Sequence, residues 1–172
     1  GTTENNEMDL TEPKKLISML EKIGINLINI TLGNPYYNPH VNRPFKKGPY
    51  TPDEKPEVGL KRFHDVGQEL KKTFPNITFI NSGMSYYRED LFKRAEELLN
   101  DKAADMIGFG RMSLAYPTFY ADYLKGQFQP NKCCLACSNC TVLMRHKQVA
   151  GCAIFNEYYR NLLKEKVLCQ KK

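Results

Sequence analysis

The chain has 172 residues, 41% of them hydrophobic, 26% charged and 11% aromatic. That composition supplies one ordinary core and excludes collagen, coiled coil and wholesale disorder. The formal net charge of +6 is unevenly placed: residues 125–172 carry nine Lys or Arg against Glu157 and Glu165, and all six cysteines lie in that same stretch. A thiolate cluster near cations is electrostatically sound, and a nucleic-acid or membrane reading would rest on this tail alone. The apolar runs are short and no charged-then-apolar segment opens the chain, so the expectation is a cytoplasmic protein that binds no membrane. Such a setting argues against structural disulfides. The length suits one domain, or a piece of a larger one.

In chain order, residues 1–9 read as a polar loop. Thr11-Glu12-Pro13 then opens a helix in which Leu16, Ile17, Leu20 and Ile23 recur at helical spacing, and Gly24 ends it. Ile25–Ile30 is a strand-length, β-branched-rich run, followed by a loop with six prolines from Pro35 to Pro56. A helix is expected from about Val58 to Phe74 and a strand at Ile77–Ile80, running into Asn81-Ser82-Gly83. The third helix, about Glu89 to Asn100, presents Leu91, Phe92, Ala95, Leu98 and Leu99 on one face. A strand at Met106–Phe109 ends at Gly110-Arg111. A short helix from Pro117 to Lys125, the cysteine segment and a last helix from Asn156 to Leu168 complete the chain.

This alternation is the grammar of βαβ units around a parallel sheet, whose chemistry sits beyond the carboxyl ends of the strands. The loop after the first strand offers Tyr36 and Tyr37, stiffened by prolines, as a roof for a planar ligand. The next two loops offer Ser82-Gly83-Met84 and Gly110-Arg111. Backbone amides from small residues, joined by a permanent guanidinium, make a sensible phosphate site. The bland reading is tight turns at Gly83 and Gly110, and an ion pair at Arg111. His40, His64 and His146 read as packing or surface residues, and Glu96-Glu97 with Asp101 as a solvated helix face.

Cys134-Leu-Ala-Cys137-Ser-Asn-Cys140 is C-x2-C-x2-C, and eleven residues separate Cys140 from Cys152. Four thiolates so spaced suit a [4Fe-4S] cluster or a tetrahedral zinc, against the alternative of free thiols. Cys133 is a possible stand-in ligand, and Cys169 lies beyond the pattern.

Taken together, Ile25–Ile30 before its long loop, Ile77 to Met84, and Ala104-Asp105-Met106-Ile107-Gly108-Phe109-Gly110-Arg111 resemble strands six, seven and eight of the old yellow enzyme family. Those proteins are FMN-dependent (β/α)8 barrels and include the 2,4-dienoyl-CoA reductases. The resemblance runs from about Thr11 to Asn156. It implies an α/β fold, the C-terminal half of a (β/α)8 TIM barrel over residues 1–126, with a cysteine-rich extension and C-terminal helix over 127–172. It implies FMN phosphate held by Ser82, Gly83, Met84, Gly110 and Arg111, and a [4Fe-4S] cluster on Cys134, Cys137, Cys140 and Cys152 relaying electrons to FMN. The dienoyl-CoA reductase branch has three residues between its second and third cysteines, where this chain has two.

The implied activity passes hydride from NAD(P)H through FMN to an activated C=C bond of an enone or enoyl-type substrate, with Tyr36 and Tyr37 at the substrate mouth. The family's proton donor and most of its flavin-ring contacts lie upstream of the matched segment. The expectation is therefore an inactive isolated chain, without catalytic residues of its own, that self-associates or pairs with the missing N-terminal half of the barrel. The rival from another class is a metal-stabilised binding module whose basic tail contacts RNA or an acidic partner. Its lack of interleaved aromatics favours a reading without nucleic acid.

Overall fold

The computed structural model describes residues 8–46 and 50–169; most of the polar opening, and Pro49 of the proline-rich loop, lie outside the described residues. Helix α1 spans Thr11–Lys22, strand β1 Leu27–Asn29, the one-turn helix α2 Pro39–Asn42, helix α3 Pro56–Thr73 and strand β2 Thr78–Asn81. A 3-10 segment at Met84–Asp90 leads into helix α4 (Leu91–Asn100), followed by strand β3 (Met106–Ile107). Helices α5 (Arg111–Ala115), α6 (Phe119–Leu124), α7 (Asn139–Arg145) and α8 (Glu157–Leu163) complete the order, α8 ending in a π turn at Lys164–Leu168.

The longest helix, α3, starts with Pro56 in its first turn, where the missing N–H costs nothing. It buries Leu60, Phe63, Val66, Gly67 and Leu70 along one face. That face packs on the sheet: Ile17, Ile30, Val66, Leu70, Phe74, Ile77 and Phe79 form one buried cluster. In β2, Phe79 and Asn81 are buried and alternate with the partly exposed Thr78 and Ile80, as a strand with one covered face requires. Gly67 permits the close approach, because a Cβ there would stand 2.0 Å from the Ala103 carbonyl oxygen.

Two polar clasps hold the sheet to its helices. The buried Asn81 amide donates to the carbonyls of Phe63 (2.9 Å) and Ala103 (3.2 Å) while its oxygen accepts the Ser82 N–H. Asp105 accepts the Phe79 N–H at 2.8 Å and pairs with Lys71 at 2.8 Å.

The expectation of half a (β/α)8 barrel is corrected here. Among the described residues the sheet has three strands, in the order β1-β2-β3, all parallel. They are three, four and two residues long, in a chain that is otherwise mostly helix and connection. The fold is mixed α/β, and nothing in it forms a barrel wall. The apolar runs overstate pairing: of Ile25–Ile30 only Leu27–Asn29 join the ladder, and of Met106–Phe109 only the first two. After Ile107 the chain makes one more sheet bond, from Gly108 N–H to Asn81 O at 2.7 Å, and turns into α5. The second sheet face encloses no layered interior, since Leu27 is 53% and Met106 51% exposed on it. Parallel sheets ordinarily have both faces covered. Among the described residues no helix is long and apolar enough to cross a membrane.

Candidate functional site at the cysteine segment

Cys133 and Cys134 enter the apolar cluster of Leu91, Met112, Ala115, Tyr116 and Phe119, with Cys152 at its edge. From this anchor the chain turns sharply. Ala136 and Ser138 both adopt left-handed backbone (φ 51° and 63°), which non-glycine residues hold at a cost of roughly 1 kcal/mol each. The turn feeds α7, whose first residue is Asn139.

The consequence of that turn is that a backbone donor faces sulfur. The Ala136 N–H donates to Cys134 Sγ at 3.3 Å. The four cysteines singled out by their spacing, Cys134, Cys137, Cys140 and Cys152, line one small cavity together with Arg111 and Ser138. Burial raises the Cys134 thiol pKa, opposed by the Ala136 N–H and Arg111. Burial also raises Cys137, opposed by the Asn139 N–H. Hydrogen bonds and cations of this kind favour the thiolate.

Around the sulfurs the cations are unusual. Arg111 donates from Nη2 to the Pro44 carbonyl at 3.2 Å, and its Nη1 is buried without a hydrogen-bond partner. Burial lowers its pKa, against the pull of Cys134, Cys140 and Cys137. Arg43, from the loop after β1, has Nε and Nη2 buried and unpartnered. Burial, then the charges of Arg145 and Arg111, lower its pKa, with Cys140 acting the other way. Ser138 Oγ is a further buried, unpartnered atom.

The four sulfurs on this cavity are the donor type of a thiolate-held cluster, but as placed they do not fit one. The enclosed volume, about 20 Å³, is that of about one water molecule. Among the described residues no three Cys, His, Asp or Glu side chains converge on a point that would hold a metal ion. Seating a cluster therefore requires the 134–140 turn to open.

The other predicted residues are brought together in part. The carboxyl ends of the three strands meet: Ser82 Oγ donates to Asn29 Oδ1 at 3.3 Å, and Gly108 leaves no room for a side chain, a Cβ there standing 2.6 Å from Ser82 Oγ. Gly83 is left-handed (φ 101°), and Gly110 has open space where a Cβ would stand. The two loops touch through Ser85 Oγ, which accepts the Met112 N–H at 3.1 Å. Met84 is a core side chain, packed with Leu98 and Ala103, so only its backbone can serve a ligand. Arg111 lines the cysteine cavity. Tyr36 and Tyr37 are 86% and 84% exposed and do not line the cysteine cavity.

The histidines are engaged locally: His40 Nδ1 with Tyr50 Oη at 2.7 Å, His64 with Asp101 at 2.9 Å, and His146 with the Val142 carbonyl at 2.9 Å. An open cleft of about 420 Å³ between Lys46, Thr51, Tyr86, Leu135 and Ala136 adjoins the cysteine cavity through Leu135.

No protein-family model, curated protein or solved structure matches the chain. Sequence reasoning missed Arg43 and Ser138 at this site. Arg43 stands singly in a proline-rich loop, and its one local signal is an arginine followed by the buried Pro44-Phe45 pair.

Proposed function

We propose that this chain is part of an FMN-dependent oxidoreductase of the old yellow enzyme kind, acting on an activated C=C bond with NAD(P)H as reductant. The observation that carries the reading is the meeting of Cys134, Cys137, Cys140 and Cys152 on one cavity beside Arg111. When bound, FMN supplies hydride transfer and a [4Fe-4S] cluster supplies single electrons. Cys134, Cys137, Cys140 and Cys152 would hold the cluster. The backbone of Ser82, Gly83, Met84 and Gly110, where the strand ends meet, would hold the flavin phosphate.

Within that division of labour, the residues of this chain bind and position. Ala136 donates an N–H group that holds the Cys134 sulfur in place. The Cys133, Met112 and Phe119 packing keeps water from one side of the thiols. Arg111 ties the loop after β1 to α5 through Pro44. The half-exposed Leu27 and Met106 mark the sheet face that a further segment or subunit would cover to complete the flavin site.

The test is to load the full chain without oxygen with FMN, ferrous iron and sulfide, and to record its visible spectrum after desalting. The expected result is flavin and broad iron–sulfur absorption retained by the protein and bleached by dithionite. A chain that emerges colourless overturns the reading.

A further inference from the structure

We infer that the open cleft between Lys46, Thr51, Tyr86, Leu135 and Ala136 binds a small organic carboxylate with a flat apolar body, its charge on Lys46 and its body between Tyr86 and Leu135. The inference stands apart from the cluster and flavin readings above, because among the described residues no cysteine and no strand-end glycine lines the cleft. The cleft encloses about 420 Å³, within the ~300 to 1,000 Å³ of sites for small organic molecules.

Its walls are mainly apolar. Leu135 is 46% exposed, an apolar side chain that the fold leaves uncovered, and Ala136 beside it is buried. Tyr86 has its ring to offer, since its hydroxyl already donates to Glu57 Oε1 at 3.3 Å. A cleft with an aliphatic residue and an aromatic ring among its walls suits a flat apolar body.

Charge selects the occupant. Among the described residues the lysine ion pairs involve Lys14, Lys15, Lys61 and Lys71, so Lys46 is in none, and no acidic side chain lines the cleft. The loop that carries Lys46 is held by two further cations: Arg111 Nη2 donates to the Pro44 carbonyl at 3.2 Å and Arg145 Nη2 to that of Pro35 at 2.7 Å. Phe45, 1% exposed, anchors the chain immediately before Lys46. A lysine without a carboxylate beside an apolar cleft favours an anion there, and the Thr51 hydroxyl adds a second donor. An inorganic anion would leave the Tyr86 and Leu135 surfaces in water. A flat unsaturated or aromatic carboxylate covers them while its charge stays on Lys46.

The experiment titrates the full-length chain with trans-cinnamate and with its uncharged analogue trans-cinnamamide, followed by ligand-observed NMR, in wild type, Lys46→Met, Lys46→Arg, Leu135→Asp and Tyr86→Phe. Cinnamate should bind about tenfold more tightly than cinnamamide, the scale of one hydrogen bond to a charged group. K46M should remove that preference and K46R should keep most of it. L135D sets a like charge on the apolar wall and should weaken cinnamate by about tenfold. Y86F should match wild type, since the hydroxyl it removes is engaged with Glu57. Wild type that binds neither probe, or both equally, overturns the inference, as does a preference for cinnamate unchanged in K46M. Phosphate that displaces cinnamate at equal concentration also overturns it, by assigning Lys46 to an inorganic anion. A chain that fails to take up iron or FMN but binds cinnamate through Lys46 overturns the proposed function and leaves this inference standing.

Discussion

The sheet region and the cysteine segment are stabilised in different ways. In the first, α3, α4 and three short strands bury Phe63, Val66, Ile77, Phe79 and Leu98, and the polar group that enters with them, Asn81, is satisfied. Around the second, two arginines and a serine keep buried donors without acceptors, while left-handed non-glycine backbone occurs in both, at Arg88 and Lys102 in the first and at Ala136, Ser138 and Lys147 in the second. The difference teaches where to look for function. A region whose buried polar groups are satisfied accounts for its own fold, whereas unpaired buried charge points to a ligand.

Five substitutions break or sharpen that contrast. Phe79→Ala removes a fully buried ring from the α3 interface and should cost about 3 to 5 kcal/mol by chemical denaturation. Cys152→Ser in the iron-free chain should cost less than about 1 kcal/mol; a comparable loss in both variants would erase the contrast. Asn81→Leu strands the Phe63 and Ala103 carbonyls and the Ser82 N–H, for an expected loss of about 2 to 4 kcal/mol. Near-wild-type stability in N81L would mean that the clasp contributes little.

Ser138→Gly relieves a left-handed residue and deletes an orphaned hydroxyl, so the iron-free chain should gain about 1 kcal/mol in thermal unfolding. A loss instead would show that the turn is held by contacts of the serine.

The smallest effect is a pH dependence at Asp105. Burial alone would raise its pKa, but the hydrogen bond from Lys71, the Phe79 N–H and the Lys71 charge overcome this and hold it below the ordinary value. A depressed carboxylate stabilises the fold above its unfolded pKa, near 3.9, and that contribution disappears as pH falls through the lower native value. Asp105→Asn should therefore lower the unfolding midpoint at pH 6 more than at pH 3. An equal loss at both would assign the effect to geometry.

Much of this was legible in the sequence. The helical spacing of Leu91, Ala95 and Leu98 placed α4, and the Ile77–Ile80 run placed β2 within one residue, because in both cases a single buried face dictates the pattern. The cysteine spacing named four residues that do share a cavity. The barrel was not there to be read, because an apolar run reports burial and not how many of its residues pair. Helices α5 and α7 were missed because they follow directly on the Gly110 turn and lie inside the cysteine segment, where no apolar period stands out. Arg43 was invisible because its burial is produced by segments distant in sequence, and nothing local marks it.

The central claim is that Cys134, Cys137, Cys140 and Cys152 act together on one anionic metal cluster. Counting iron and acid-labile sulfide per chain after anaerobic reconstitution and desalting, in wild type and in Cys140→Ser, tests it most directly. The account predicts about four iron and four sulfide per wild-type chain and a loss of most of both in C140S. Wild type with neither, or with zinc alone, would contradict it.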